Sequence, residues 1–310
     1  MCADTSHADH GHTEKLHADE ADIDASLVRR LLAAQFPRWA DLPVVRVDNG
    51  TSNAMYRLGD TMVVRLPRRG AAAADVDREH RWLPRIAPSL PFAVPVPLGK
   101  GRPAADYPWA WSVYRWLEGE TPAGGIGRTG PFARDVAEFV RALRRIDPTD
   151  GPPSYRGEHL AARDTATRAA IDELRGIVDA RAATAVWEAA LRAPEWRDPP
   201  VWIHADLQPG NVLTARGRLS AVIDFGCMGL GDPAVDLIPA WYLLGGAARD
   251  VFRTTVEADD AAWSRGRGWA LSIALMEVSY YRHTDPVMHA IGRRVIREVL
   301  AGQGDVRPSR

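Results

Sequence analysis

The sequence predicts a two-lobed α+β fold, with a small N-terminal sheet lobe and a larger, mainly helical C-terminal lobe. Three observations predict it. Short apolar runs bounded by Gly, Asp and Pro crowd residues 44–116, the pattern of paired strands. Apolar residues at helical spacing fill most of the chain on the C-terminal side of that region. A separate hairpin pattern interrupts those helices between residues 201 and 223. Such an order leaves a cleft between a sheet lobe and a helical lobe, where a site is expected.

Residues 1–24 carry His7, His10, His12 and His17 among Asp, Glu, Ala and Thr, and read as a disordered polar tail, with a metal-binding tract as the alternative. Ile23, Leu27, Val28, Leu31, Leu32 and Phe36 recur at helical spacing and predict a first amphipathic helix, ended by Pro37. Strands are expected at Val44–Val47, Ala54–Leu58 and Thr61–Leu66, the last two joined by a Gly59-Asp60 turn. The loop Asp48-Asn49-Gly50-Thr51-Ser52-Asn53 is a candidate phosphate cover. Gly50 lets backbone approach an anion, and Thr51, Ser52 and Asn53 are donors.

Alternation in the third strand puts Val63 and Arg65 on one face and Met62, Val64 and Leu66 on the other. A helix over Ala71–Ile86 then aligns Glu79 with Val76 and Leu83, a poor place for a carboxylate unless it is paired. Pairing with Arg65 satisfies both groups. Val94–Leu98 and Trp109–Trp116 complete the sheet, with Gly99-Lys100-Gly101 read as a turn between them. Residues 114–119, Tyr114 to Gly119, read as the link between lobes. Tyr114 and Trp116 are its candidate residues. The division is then 25–113, 114–119 and 120–310. Helices are expected over Pro131–Ile146, Ala161–Asp179, Ala182–Leu191, Ala234–Leu244, Arg249–Val256, Trp263–His283 and His289–Leu300.

Val201-Trp202-Ile203 leads into His204-Ala205-Asp206, and Asn211 comes five residues after that Asp. Val212-Leu213-Thr214 and Leu219–Ile223 read as two strands turning at Ala215-Arg216-Gly217-Arg218, which returns the chain at Asp224-Phe225-Gly226 beside Asn211. Asn211 and Asp224 offer the oxygen ligands that Mg²⁺ prefers. Asp206 is a candidate general base for a hydroxyl proton. His204 reads as a buttress of the loop.

The run His204-Ala205-Asp206-Leu207-Gln208-Pro209-Gly210-Asn211-Val212-Leu213, with Val222-Ile223-Asp224-Phe225-Gly226 and Gly231-Asp232-Pro233-Ala234-Val235-Asp236-Leu237, resembles the aminoglycoside phosphotransferase family. The resemblance implies small-molecule kinases of protein-kinase-like fold. It implies ATP or GTP as donor, Mg²⁺ as cofactor and a small-molecule hydroxyl as acceptor, such as an aminoglycoside-like antibiotic or an amino-sugar metabolite. It also implies a cation gripping the nucleotide phosphates. The only lysines, Lys15 and Lys100, are misplaced for that task, so it falls to Arg65. The alternative is a nucleotide-binding pseudokinase, for which Arg65 is the best support. A protein kinase is disfavoured by Ala205 within the H-x-D run and by Gly231-Asp232-Pro233 so soon after Asp224.

Asp232, Asp236, Glu257, Asp259, Asp260 and Glu277 offer an acidic array to an ammonium-bearing acceptor. Read plainly, Glu257-Ala258-Asp259-Asp260 is a set of solvated helix caps, Asp236 a buried brace of the catalytic loop, and Trp241, Trp263 and Trp269 core aromatics. A formal charge of −1 without a long basic block excludes a nucleic-acid footprint. No stretch of about 18 apolar residues marks a membrane span. With two cysteines and an N-terminus unlike a secretory signal, a cytoplasmic location is expected.

Overall fold

β1 (Val44–Arg46), β2 (Asn53–Leu58), β3 (Met62–Pro67), β4 (Pro97–Gly101) and β5 (Trp111–Arg115) form one antiparallel sheet in the order β1-β2-β3-β5-β4. This is a computed structural model, and it describes residues 21–47, 52–122 and 129–301. The expectations for residues 1–20, for 48–51 with Gly50 and Thr51, and for 123–128 lie outside the described residues. Residues 21–24, read with the tail, are fastened to the sheet. Ala21 N donates to Arg68 O at 2.9 Å, and Tyr56 Oη donates to Ile23 O at 3.0 Å.

Alternation along β3 works as its sequence requires. Met62, Val64 and Leu66 pack under α1 (Ala25–Gln35), whose Leu27, Val28, Leu31 and Leu32 form the other half of that core. Val63 joins the larger core on the opposite side. Asp24 caps α1 by accepting from Leu27 N at 2.7 Å. The link from β2 to β3 is Gly59-Asp60-Thr61, one residue longer than expected, with Gly59 at φ 55°.

Gly99-Lys100-Gly101 lies inside β4 and is no turn. The glycines serve packing: a Cβ on Gly101 would stand 1.9 Å from Trp111, whose indole is fully buried against the strand. α2 (Ala73–Ile86) crosses behind the sheet with Val76, Glu79, Trp82 and Leu83 inward, and Pro84 sits within it without ending it.

The C-terminal lobe is built from α3 (Gly130–Arg144), α4 (Asp164–Glu173), α5 (Ala180–Arg192), α6 (Pro239–Tyr242), α7 (Ala247–Val256), α8 (Asp260–Tyr280) and α9 (Pro286–Ala301). Two expected helices are shorter. The segment Leu160–Arg163 is a 3₁₀ turn before α4, and Pro233–Leu237 is another before α6, because Pro239 cannot continue the first ladder. Between them β6 (Val201–Ile203) pairs with β9 (Gly229–Gly231), and β7 (Val212–Ala215) with β8 (Arg218–Val222). Buried Asp135 on α3 pins that hairpin, accepting from Arg218 Nε at 2.6 Å and from Leu219 N at 3.2 Å. No helix among the described residues is long and apolar enough to cross a membrane.

Candidate active site

β6 delivers the chain into a loop whose backbone is held by one buried carboxylate. Asp236, fully buried, accepts from His204 N at 2.9 Å and from Ala205 N at 2.7 Å. Ala205 stands at φ 65°, a conformation that costs any residue with a Cβ, so these bonds hold a strained turn in place. Burial pushes the Asp236 carboxyl up, and His204 with the two N–H donors opposes that push. His204 completes the loop. Its Nδ1 accepts from Asp206 N at 3.2 Å, so Nε2 carries the proton and donates to Ile223 O at 3.1 Å. Its ring meets Phe225 edge-on, with centroids 4.6 Å apart. Both ring nitrogens are engaged within the loop.

The turn aims Asp206 into the cleft, 19% exposed. Its Oδ2 accepts from Asn211 Nδ2 at 2.8 Å, and the same Nδ2 donates to Asp206 O at 2.8 Å. Its Oδ1 accepts from Gln208 Nε2 at 3.0 Å and from Arg156 Nη1. Burial alone would weaken the Arg156 charge, but Asp206 more than offsets this and holds the guanidinium protonated. Arg156 escapes sequence reading because it lies fifty residues before Asp206, in a Pro/Gly-rich stretch that reads as plain loop.

Asp224 ends the hairpin beside Asn211, since Ile223 N donates to Asn211 O at 2.9 Å. It too is left-handed, at φ 61°. Arg65 reaches it across the cleft, donating from Nη2 to Asp224 Oδ1 at 2.5 Å, while Nη1 donates to Glu79 Oε1 and Oε2 at 2.8 and 3.0 Å. Glu79 also accepts from Phe225 N at 3.0 Å and from the Tyr114 hydroxyl. The expected Arg65–Glu79 pair is therefore the centre of a cluster joining β3, α2, β5 and the Asp224 loop. Burial opposes ionisation of Asp224, yet Arg65 outweighs it and holds the carboxyl below its ordinary range. Asp224 remains 40% exposed, open to a further ligand. The hairpin brings Asn211 and Asp224 side by side, and an amide oxygen with a carboxylate is the kind of hard oxygen set that would hold Mg²⁺ when phosphate and water complete its shell. Among the described residues no group of three His, Cys, Asp or Glu forms a self-sufficient metal cage.

The sequence profile of the phosphotransferase enzyme family matches residues 43–269, a span that holds the sheet, the link and the whole Asp206–Asp224 cluster. The chain belongs to this phosphotransferase family. It is a small-molecule kinase. Similar solved structures agree in fold. The GDP and kanamycin complex of APH(2")-IIia superposes with a TM-score of 0.71 at 18% identity, covering 89% of this chain and 99% of that one. Wild-type aminoglycoside 2'-phosphotransferase-IIIa bound to GDP gives 0.72 at 18% identity, covering 90% and 99%. A macrolide 2'-phosphotransferase from Brachybacterium faecium, as apoenzyme, gives 0.60 at 20% identity, covering 92% and 100%. No curated protein sequence matches the chain.

Within this phosphotransferase several candidate side chains stand elsewhere than expected. Tyr114 turns away from the interlobe link toward Glu79, and burial together with Glu79 pushes its hydroxyl pKa well up. Trp116 lies beneath Arg57, whose guanidinium carbon is 3.9 Å from the ring centroid, and its backbone N–H donates to Thr61 O at 2.8 Å. Tyr114 thus joins the Arg65–Glu79 cluster, and Trp116 packs against Arg57. Ser52 is exposed at the start of β2, and its carbonyl accepts from Arg68 N at 3.0 Å. Asn53 is buried, and with its amide oxygen turned inward it accepts from Arg65 Nη2 and Nε at 3.0 and 3.1 Å. It therefore braces Arg65 and is no free phosphate donor.

The acidic array beyond the motif is mostly engaged in the fold. Asp232 binds buried Arg265 at 2.8 Å and caps Ala234 N at 2.9 Å. Asp259 caps α8, Asp260 pairs with Arg253, and Glu257 pairs with Arg141 at 2.9 Å. Trp241 and Trp269 are core residues. Asp236 braces the catalytic loop, as above, and Glu277 stands on its other side, accepting from Tyr242 Oη at 2.9 Å. Burial pushes its carboxyl up to about 8, with the Asp206 charge adding to the push. The acidic side chain nearest Asp206 on this side is thus one that burial holds toward its neutral form.

Proposed function

We propose that the chain moves the γ-phosphate of Mg²⁺-bound ATP or GTP to a hydroxyl of a small molecule. The acceptor class comprises hydroxyl-rich antibiotics, aminoglycoside-like or macrolide, and amino-sugar metabolites. One observation carries the reading. Asp206 and Asn211 share a hydrogen bond at 2.8 Å, while Asp224 beside them is bonded to Arg65 at 2.5 Å, which supports reading the four as base, metal ligands and cation of one cleft. Two of the similar structures hold GDP and a third is an ATP ternary complex with streptomycin, which supports a nucleoside triphosphate donor.

In this reading Asp206 orients the acceptor hydroxyl and takes its proton. Asn211 and Asp224 would hold Mg²⁺, which supplies charge neutralisation at the phosphates when bound. Arg65 contacts the phosphates from the sheet side, and its pairing with Glu79 fixes its fork. Asp236 and His204 hold the loop so that Asp206 needs no reorientation during transfer. Little covalent help is required, because phosphoryl transfer is mainly a problem of position and charge.

The complete engagement of Arg65 by Glu79, Asp224 and Asn53 favours a second reading, a pseudokinase that binds nucleotide without turnover. One experiment tests both. Phosphate transfer is measured from Mg²⁺·ATP and Mg²⁺·GTP to aminoglycosides, macrolides and amino-alcohol metabolites, with Asp206→Asn as control. Acceptor-dependent turnover that the control loses supports the kinase. Tight nucleotide binding with no turnover on any acceptor, nor hydrolysis by water, supports the pseudokinase.

A further inference from the structure

The stretch from Gly151 to Gly157 is docked along β9 as a strap. Ser154 N donates to Leu230 O at 3.1 Å, Leu230 N to Pro152 O at 2.7 Å, and Asp232 N to Gly157 O at 3.2 Å. The fit is close enough to require glycine on both sides. A Cβ on Gly157 would stand 2.5 Å from Leu230 O, and one on Gly231 would stand 2.2 Å from Gly157 Cα. Ser154 Oγ adds a bond to Cys227 O at 2.8 Å. So seated, the strap delivers one cation to the catalytic loop. Arg156 packs its guanidinium 5.3 Å from the Tyr155 ring centroid, donates from Nη1 to Ala205 O at 2.9 Å, and binds Asp206 Oδ1 through the same nitrogen.

We propose that Arg156 is a positioning residue of the transfer reaction, which occupies Asp206 Oδ1 and leaves Oδ2 as the atom that receives the acceptor proton. The inference rests on the phosphotransfer reading above. Its geometry is a matter of lone pairs. A carboxylate oxygen accepts two hydrogen bonds in its plane, and Oδ1 already takes two, from Arg156 and Gln208. Oδ2 takes one, from Asn211, and keeps one direction open. That open oxygen shares its neighbour with the candidate metal site, so a hydroxyl bound there stands on the phosphate side. In the step, the hydroxyl oxygen bonds the γ-phosphorus and its proton passes to Asp206 Oδ2. The bond from phosphorus to the diphosphate breaks, and its electron pair leaves with the nucleoside diphosphate.

Arg156 and Asp206 are 18% and 19% exposed, so the pair is shielded from water on most sides, unlike an ordinary surface ion pair. Without Arg156 only the neutral Gln208 bond remains on Oδ1, which then also has an open direction, so the carboxylate is held less firmly and can present either oxygen. Substrate binding would survive, and the rate would not.

The test uses the full chain and the variants Arg156→Gln, Arg156→Lys and Asp206→Asn, alone and combined. The readout is transfer to the best acceptor of the panel, or hydrolysis of Mg²⁺·ATP or Mg²⁺·GTP by water where no acceptor is taken. Arg156→Gln is expected to lower kcat by roughly 10–100-fold with the nucleotide KM unchanged. Arg156→Lys should recover part of that loss. In the Asp206→Asn background Arg156→Gln should cost nothing further, since the two act as a unit. Equal kcat in wild type and Arg156→Gln would overturn the inference. So would the same fold-loss in the Asp206→Asn background, or a raised nucleotide KM with kcat intact. If Arg156→Gln melts below assay temperature, Arg156→Lys carries the same comparison. A wild-type chain that neither transfers nor hydrolyses nucleotide would refute the phosphotransfer reading itself, and this inference with it.

Discussion

Arg65 Nη2 donates to Asp224 Oδ1 at 2.5 Å, joining the third strand of the sheet to the end of the catalytic hairpin across 159 residues of sequence. The same guanidinium holds Glu79 at 2.8 Å and faces the Asn53 amide. One planar fork thus ties β2, β3, α2 and the candidate metal ligand together. Burial would weaken the Arg65 charge, but Asp224 and Glu79 raise its pKa further still, so it stays cationic. A lysine ammonium is a single point charge and does not span three partners in fixed directions.

Arg65→Lys is therefore not a conservative change here. It should keep the pairing with Glu79 and lose the bridge, raising the nucleotide KM by roughly tenfold, about 1.4 kcal/mol. Arg65→Ala should cost more, because it leaves Glu79 buried beside Phe225 N without its cation. Nucleotide titration of both variants by calorimetry checks this. Wild-type affinity in Arg65→Ala would remove Arg65 from the phosphate site.

Asp206→Asn should lower turnover by roughly 10²–10⁴-fold while nucleotide affinity holds, the usual effect of losing a positioned base. Asp224→Ala should behave in the opposite way and abolish the Mg²⁺ dependence of nucleotide binding. Titrations with and without Mg²⁺ separate the two. Retained Mg²⁺-dependent affinity in Asp224→Ala would exclude it as a ligand.

Asp236→Ala tests the strained loop. The change strands two buried donors, His204 N and Ala205 N, and should destabilise the fold by about 2–4 kcal/mol. Ala205 would then relax from φ 65°, and Asp206 with it. Urea unfolding and turnover should therefore fall together. A variant as stable as wild type would show that the loop is held by other means.

The catalytic hairpin was legible in the sequence because its signal is local. Asp206, Asn211 and Asp224 sit within nineteen residues, and two short strand-like runs joined by a turn lie between Asn211 and Asp224. Arg65 with Glu79 was legible too, since strand and helix periodicity each turned one charge inward. What stayed hidden depends on distant packing. Tyr114 reads as part of a link, and only the β3–β5 register, with Val63 opposite Tyr114, sets its hydroxyl over Glu79. The glycines of β4 read as a turn because the sequence does not show Phe36 and Trp39 lying against Gly99 and Trp111 against Gly101. Of the acidic residues from Asp232 onward, the sequence offered helix caps and a brace against an ammonium-binding array, and only their partners, Arg265 for Asp232, Arg141 for Glu257 and Arg253 for Asp260, decide between them.

Glu277 gives the last expectation, and it concerns pH. Its carboxyl is raised from 4.5 to about 8, chiefly by burial, with the Tyr242 bond opposing and the Asp206 charge adding. The folded protein thus keeps a proton at Glu277 that the unfolded chain releases near pH 4.5. Stability contributed by that proton is whole below about pH 4.5, declines as pH rises, and is gone above about pH 8. The loss should be on the order of 5 kcal/mol across that window. Glu277→Gln cannot ionise and keeps an oxygen for Tyr242, so the variant should gain on wild type steadily from about pH 5 to about pH 8.5. Urea midpoints of both proteins at those two values check it, because every other titrating group is common to both. A gap between wild type and variant that does not change with pH would mean that Glu277 is ionised in the fold, and the floor beside Asp206 would then be anionic and suited to an ammonium.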